Sequence, residues 1–315
     1  NNQAGIIFPT VYEPTGLDTA TATLTAEFWI GETELTNAVA AAVFQWAWKN
    51  EKFSATVSDP NGLDSTRAKH GGQILLDMAD DACRVHYNDL TGFSADSGYE
   101  NNPLTNVTWY GAVMLCNWLT EMRDGGTANV VYTNIDTSWN HEETLEDTVE
   151  TGYRLPSHEE WEYAARYLGT TAPTVGNLAS QYIARNHNAG AATLTEGYCW
   201  TPGVYAAGAT DDYYNAEACR AVAVYYGQDP APTDEAAVKS LGAGSASVLG
   251  LYDMSGNVGE WCFTILEAYP SEISRIFCGG SYDSDSEGLV VGIFDYDDPD
   301  NDRDYQGLRL CRTTE

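Results

Sequence analysis

Between Phe294 and Tyr305 the chain crowds Asp295, Asp297, Asp298, Asp300, Asp302 and Asp304 around Tyr296. Asp298, Asp300, Asp302 and Asp304 alternate as the oxygen ligands of a calcium loop do, since hard cations want several carboxylate and carbonyl oxygens. The segment therefore reads as a metal loop, a solvated acidic loop or a contact surface. An EF-hand register begun at Asp298 fails, because it puts Arg303 where the sharp-turn glycine belongs and Arg309 where the bidentate glutamate belongs. A second oxygen-rich stretch is GLYDMSGNVGEWC at 250–262. Asp253 and Glu260, meeting across its Gly-Asn turn, would join the carbonyls of Gly256 and Val258 in a compact cage suited to calcium. The same residues equally serve a conformational role, with the glycines at positive φ and Glu260 accepting buried hydrogen bonds.

Other chemistry is poorly represented. There is no GxSxG elbow, no GxxxxGK[ST] and no HExxH. GAGSA at 242–246 lacks the rest of a dinucleotide fingerprint and reads as a flexible loop. His70, His86, His141, His158 and His187 are scattered, and His158, in the first turn of a helix, reads as exposed or capping rather than metal-bound. The cysteines, at 83, 116, 199, 219, 262, 278 and 311, form no CxxC pair, which argues against structural zinc and a thioredoxin-like motif. Their odd number leaves at least one thiol free, and most read as small buried hydrophobes.

These residues need a scaffold, and the composition supplies one. Of 315 residues, 43% are hydrophobic, enough for a large core in one domain or two intimate ones. A formal charge of -31, with only 15 Lys and Arg, argues against nucleic acid or an anionic membrane as the main partner. No apolar run is long enough to span a bilayer, and the start NNQAGIIFPT lacks a signal-peptide pattern, so the chain reads as a mature or trimmed soluble product. Thr36 or Asn37 starts a helix through AVAAAVFQWAW. Thr108 caps a core helix with Trp109, Ala112, Val113, Cys116 and Leu119 on one face, and Ser157 with Glu160 makes a capping box for a third. Residues 168–249 read as a loop-rich insert, and LVVGIF (289–294) and GLRLC (307–311) as strands flanking the acidic loop. The pattern is irregular α+β, with few helices, long loops and short antiparallel strands.

FWIGETELTN (28–37), NPLTNVTWYGAVMLCNWL (102–119), GYRLPSHEEWEYAAR (152–166), GLYDMSGNVGEW (250–261), and GGSY with GLRL (279–282, 307–310) stand in an informative order. Together they resemble the formylglycine-generating-enzyme, or sulfatase-modifying factor, type of C-type lectin fold across most of the chain, which implies a single domain over 1–315. The resemblance implies calcium at Asp253, Gly256, Val258 and Glu260. Its catalytic members carry a copper-binding cysteine pair just after GGS, where this chain reads YDSDSEGLVVG, with no cysteine between Cys278 and Cys311. No copper is therefore expected, since a thiolate is the nucleophile and soft-metal ligand that chemistry requires. The histidine and carboxylate facial set of the related iron sulfoxide synthases is also not found.

Another branch of the fold fits this departure. Variable proteins of diversity-generating retroelements, the treponemal kind above all, end in GGSW, a hypervariable run, a Pro-Asp and a GFRL-like strand; this chain has GGSY, Pro299-Asp300 and GLRL. Adenine-templated substitution of Asn codons reaches Tyr, Asp, Ser, Gly, Ile, Phe and Asn. Asp283, Ser284, Asp285, Gly288, Ile293, Phe294, Asp295, Tyr296, Asp297, Asp298, Asn301, Asp304 and Tyr305 belong to that set, and Lys, Met and Trp are absent from 282–306. With Tyr282 and Phe263 they make the expected ligand contacts in a candidate variable region, 262–312. Tyr and Phe give contact area at low entropic cost, and Ser, Asn, Asp and Gly give adaptable polar contacts. The resemblance implies a non-enzymatic binding protein at the cell surface or secreted, with a protein or cell-surface ligand and structural calcium; a monomer is the default expectation. The alternatives are a metal- or oxygen-dependent enzyme of the sulfatase-modifying-factor type, using Cys278 or Cys311, and a purely structural calcium protein.

Overall fold

Thr36 starts the first helix, α1 (Asn37–Lys49), with its hydroxyl accepting from Val39 N at 3.2 Å. Thr108 does the same for α2 (Trp109–Asp124), accepting from Gly111 N at 3.0 Å, and Gly125 ends that helix in the left-handed conformation. α2 is buried nearly all round, not along one face: Tyr110, Gly111, Met114, Leu115 and Trp118 are also enclosed, because α1 and the strand at 73–77 pack against it. α3 (His158–Arg166) carries the expected capping box between Ser157 and Glu160. A short helix, α4 (Ala216–Arg220), lies within the insert.

The computed structural model describes residues 3–6, 27–147, 149–168, 184–185, 198–199, 201, 203–226, 247, 249–269 and 272–313. GAGSA, His187 and much of 168–249 lie outside them. The strands in chain order are β1 (Gln3–Ile6), β2 (Phe28–Gly31), β3 (Arg67–His70), β4 (Gln73–Asp77), β5 (Val85–Asn88), β6 (Gly92–Ala95), β7 (Tyr132–Thr133) and β8 (Leu145–Glu146). They continue with β9 (Tyr153–Arg154), β10 (Ala184–Arg185), β11 (Tyr198–Cys199), β12 (Gly259–Tyr269), β13 (Glu272–Cys278), β14 (Asp295–Asp297), β15 (Gln306–Gly307) and β16 (Cys311–Thr313). Two four-stranded sheets, β1-β2-β16-β9 and β14-β13-β12-β15, accompany small hairpins. Pairing is antiparallel except between β12 and β15. One core joins α1 and α2 to Trp261 and Phe277; another gathers Trp161, Met254, Cys262, Ile276, Cys278 and Cys311.

Two sequence expectations change. LVVGIF forms no strand: Val290 makes an isolated bridge with Ala206, and the strand of this region is β14, inside the acidic run. GLRLC divides between β15 and β16, because Arg309 between them turns inward to a buried carboxylate.

Candidate functional site

The GLYDMSGNVGEWC turn lies at the base of the site. Asp253 and Asn257 hold positive φ, at 55° and 62°, beside Gly256 at 76°. A Cβ on Gly256 would meet Val224 O at 2.3 Å, so this position requires glycine twice over. Glu260, 1% exposed, accepts from Arg309 Nη2 at 2.6 Å and Nε at 2.9 and 3.0 Å, and from Trp161 Nε1 at 2.6 Å. Arg309 also donates to Gly31 O and Tyr252 O, which ties β2 and the turn to β12. Both oxygens of Glu260 are engaged by buried donors, so this ligand of the expected calcium cage is committed to an ion pair. Asp253 and Glu260 share a neighbourhood with Glu34, whose carboxyl is held well above the usual range, first by burial and then by Asp253. Among the described residues no group of three or more His, Cys, Asp or Glu side chains is arranged to hold a metal. The sequence reading passed over Arg309 and Trp161, although a glutamate inside an apolar GEWC segment required a buried partner.

Above this base, residues 281–305 form loops and the edge strand β14. Ile276 pairs with Tyr296 and Arg275 with Asp297 across β13 and β14. Trp109 N, at the start of α2, donates to Pro299 O at 3.1 Å, and Asn106 N donates to Arg303 O at 3.0 Å. The acidic run is thus fastened to a helix start and a sheet edge. Asp283, Asp285, Phe294, Asp295, Tyr296 and Asp298 are exposed; Tyr282, Ser284, Gly288, Ile293, Asp297, Asn301, Asp304 and Tyr305 are half-buried.

The half-buried polar groups shape the loops. Asp297 accepts from Arg303 Nε at 3.0 Å and from Asn301 Nδ2; Asp304 accepts from Tyr282 OH at 2.8 Å; Ser284 Oγ accepts from Ser281 N at 2.9 Å. Exposed Asp285 also braces its loop, accepting from Glu287 N and Gly288 N, both at 3.1 Å. Asp298 is pushed up to about 6, first by its hydrogen bond with Asp300. Phe294 rests edge-on against His158, with centroids 4.7 Å apart, so the N-terminal turn of α3 supports that ring.

Phe263 is not brought together with these residues. Its ring stacks on Tyr132 at 5.0 Å and lies beside Trp109 and the guanidinium of Arg275. Arg275, fully buried, sits 3.8 Å over Trp109, and burial lowers it to about 9. It donates to Phe263 O and His141 O, locking β13 to the 3-10 turn at 141–143; the sequence reading missed this lock. Cys278 and Cys311 are buried, and burial pushes both thiols well up, away from the thiolate that metal or nucleophilic chemistry needs.

The sulfatase-modifying factor enzyme 1-like domain profile matches residues 12–314. The chain belongs to the sulfatase-modifying factor enzyme 1-like family. Its fold is the α+β C-type lectin fold of the formylglycine-generating-enzyme type. A protein named chaperone protein LppX, from Paenibacillus barcinonensis, is 29% identical over 236 residues, 68% of this chain and 71% of that one. Among solved structures, CarF superposes with a TM-score of 0.60 at 20% identity, covering 100% of this chain and 98% of the other. Treponema denticola variable protein 1 superposes with a TM-score of 0.56 at 18% identity, covering 99% and 95%. PvdO from Pseudomonas aeruginosa gives a TM-score of 0.51 at 13% identity, covering 99% and 92%. In this family member no helix among the described residues is long and apolar enough to cross a membrane.

Proposed function

We propose that this chain is a non-enzymatic, receptor-like binding protein whose C-terminal surface is diversified by a retroelement. The observation that carries the reading is the segment between Cys278 and Cys311. It holds no cysteine where the catalytic members keep a copper-binding pair, and it exposes Phe294, Tyr296, Asp283, Asp295 and Asp298 on a fastened frame. Aromatic rings with short polar neighbours suit adaptable recognition, and a rigid scaffold keeps their ordering cost low. The likeness to a variable protein supports the reading, as does the burial of Cys278 and Cys311. The ligand is a protein or cell-surface molecule, met by a monomer at the cell surface or after secretion.

The test is to sequence the 3′ end of the gene, and the DNA after it, in several clonal isolates. Substitutions concentrated at adenine-templated positions of codons 282–306, with an invariant near-copy nearby, are expected. An unchanging segment with no near-copy overturns the proposal. We infer from the Glu260–Arg309 pair that ion pairing rather than calcium holds the base. Calorimetric titration of chelator-treated protein with calcium should then give no saturable heat; a stoichiometric heat lost in Asp298→Asn would assign calcium to the acidic loop instead.

A further inference from the structure

The expected variable run is uneven. Its second half carries Phe294 and Tyr296, 40% and 47% exposed, while residues 283–288, DSDSEG, contain no aromatic ring. The insert lies beside that first half. Gly292 N donates to Gly203 O and Val291 N to Tyr205 O, both at 2.9 Å, and Ala206 bridges Val290. Ser255 ties the two segments together, donating to Leu289 O at 2.7 Å and accepting from Ala207 N at 3.0 Å. On the other side, Tyr226 N donates to Ser284 O at 3.0 Å.

Segment 203–226 therefore brackets the acidic loop and brings tyrosines with it. Tyr214 is 80% exposed and Tyr226 62%, more than Phe294 or Tyr296. Tyr213 and Tyr214 lie with ring centroids 4.2 Å apart and hydroxyls 2.8 Å apart, so half-buried Tyr213 props the exposed ring of Tyr214. Glu287, from the acidic loop, is among the groups that raise the Tyr213 phenol, after its bond to Tyr214. Tyr214 and Tyr226 leave most of their apolar area in water, while Tyr213 is half-buried against the insert's small core.

The geometry points to a composite recognition face, in which Tyr213, Tyr214 and Tyr226 of the insert flank Asp283, Asp285 and Glu287 and take an arginine- or lysine-bearing segment of a protein partner. This rests on the binding role proposed above. A guanidinium or ammonium satisfies both components, pairing with carboxylates at its edge and lying over tyrosine faces. The rings are the insert's contribution, because adenine-templated change in 283–288 would otherwise have to create its own anchors.

The experiment pans a phage-displayed random dodecapeptide library on the full chain and measures the enriched peptides, at two salt concentrations, on Tyr214→Ala, Tyr226→Ala, Phe294→Ala, Tyr296→Ala and Leu90→Ala. All five leave the net charge unchanged, so losses report side-chain contact and not the general attraction of an acidic protein. Enriched peptides should carry Arg or Lys. Their affinity should fall about tenfold in Tyr214→Ala and Tyr226→Ala and stay unchanged in Leu90→Ala, whose side chain is exposed without flanking this loop. Loss confined to Phe294→Ala and Tyr296→Ala overturns the composite face and leaves the binding role standing. Indifference to all four aromatic variants overturns both. Enrichment without basic residues overturns the choice of partner.

Discussion

Glu260 and Asp298 are both carboxylates of the C-terminal part of the chain, and they do opposite work. Glu260 is buried against a guanidinium and an indole that account for both its oxygens; Asp298 is exposed and shares hydrogen bonding with another acid. The first joins β2, the turn and β12, so its energy belongs to the fold. The second is free to change, because its neighbours Asp297 and Pro299 hold the loop through a side chain and a backbone carbonyl. The same division separates the enclosed rings of Trp109, Trp161 and Trp261 from the open rings of Tyr296 and Tyr214. Within the acidic run Phe294, Tyr296 and Asp298 are displayed while Asp297, Asn301 and Asp304 brace, and exposed Asp285 does both.

The sharpest way to break this comparison is Arg309→Met. Glu260 would be left buried and unpaired, and the loss should be about 3–5 kcal/mol in urea unfolding, partly recovered in the double variant with Glu260→Gln. A near-neutral result would show that the base does not depend on the pair. A smaller effect comes from Glu146, whose carboxyl burial pushes up to about 7 and whose Oε1 finds no hydrogen-bond partner. The folded pKa is raised, so stability from the protonated acid is full below about 4.5 and lost as pH rises through about 7. Glu146→Gln should abolish that decline and raise stability at pH 8 by on the order of 1–3 kcal/mol, read from unfolding midpoints across the pH series.

Ser157→Ala removes one half of the capping box and should cost about 1 kcal/mol in the same assay. The smallest effects are expected on the display side: Tyr296→Ala and Asp298→Asn should each stay within about 0.5 kcal/mol of the parent. Asp298→Asn should also remove a carboxyl titration near 6 from the NMR pH series. A loss of several kcal/mol in Tyr296→Ala would make β14 part of the scaffold and collapse the distinction.

Local rules made the helix starts legible: Thr36, Thr108 and Ser157 cap because a short hydroxyl meets orphaned N–H groups, whatever lies around them. The glycine turn at 256 was legible for a similar reason, since a positive φ selects glycine locally. The long β12–β13 hairpin was not, since its side chains alternate between two cores and Arg275 reads as a surface residue until Trp109 and Phe263 enclose it. Phe263 misled in the reverse sense, an aromatic ring in the right segment that packs inward.

By itself the sequence determined the family, the α+β class, the caps and the acidic, aromatic character of residues 282–306, because these depend on residue type and short spacing. Only the tertiary structure decided that Glu260 meets Arg309, that the acidic run is fastened to the start of α2, and that the insert is bonded to the acidic run through Tyr226 N and Ser284 O. Those contacts join residues far apart in the chain, and side-chain burial, which sets whether a carboxylate is an ion-pair partner or an open surface group, exists only once the chain has closed around it.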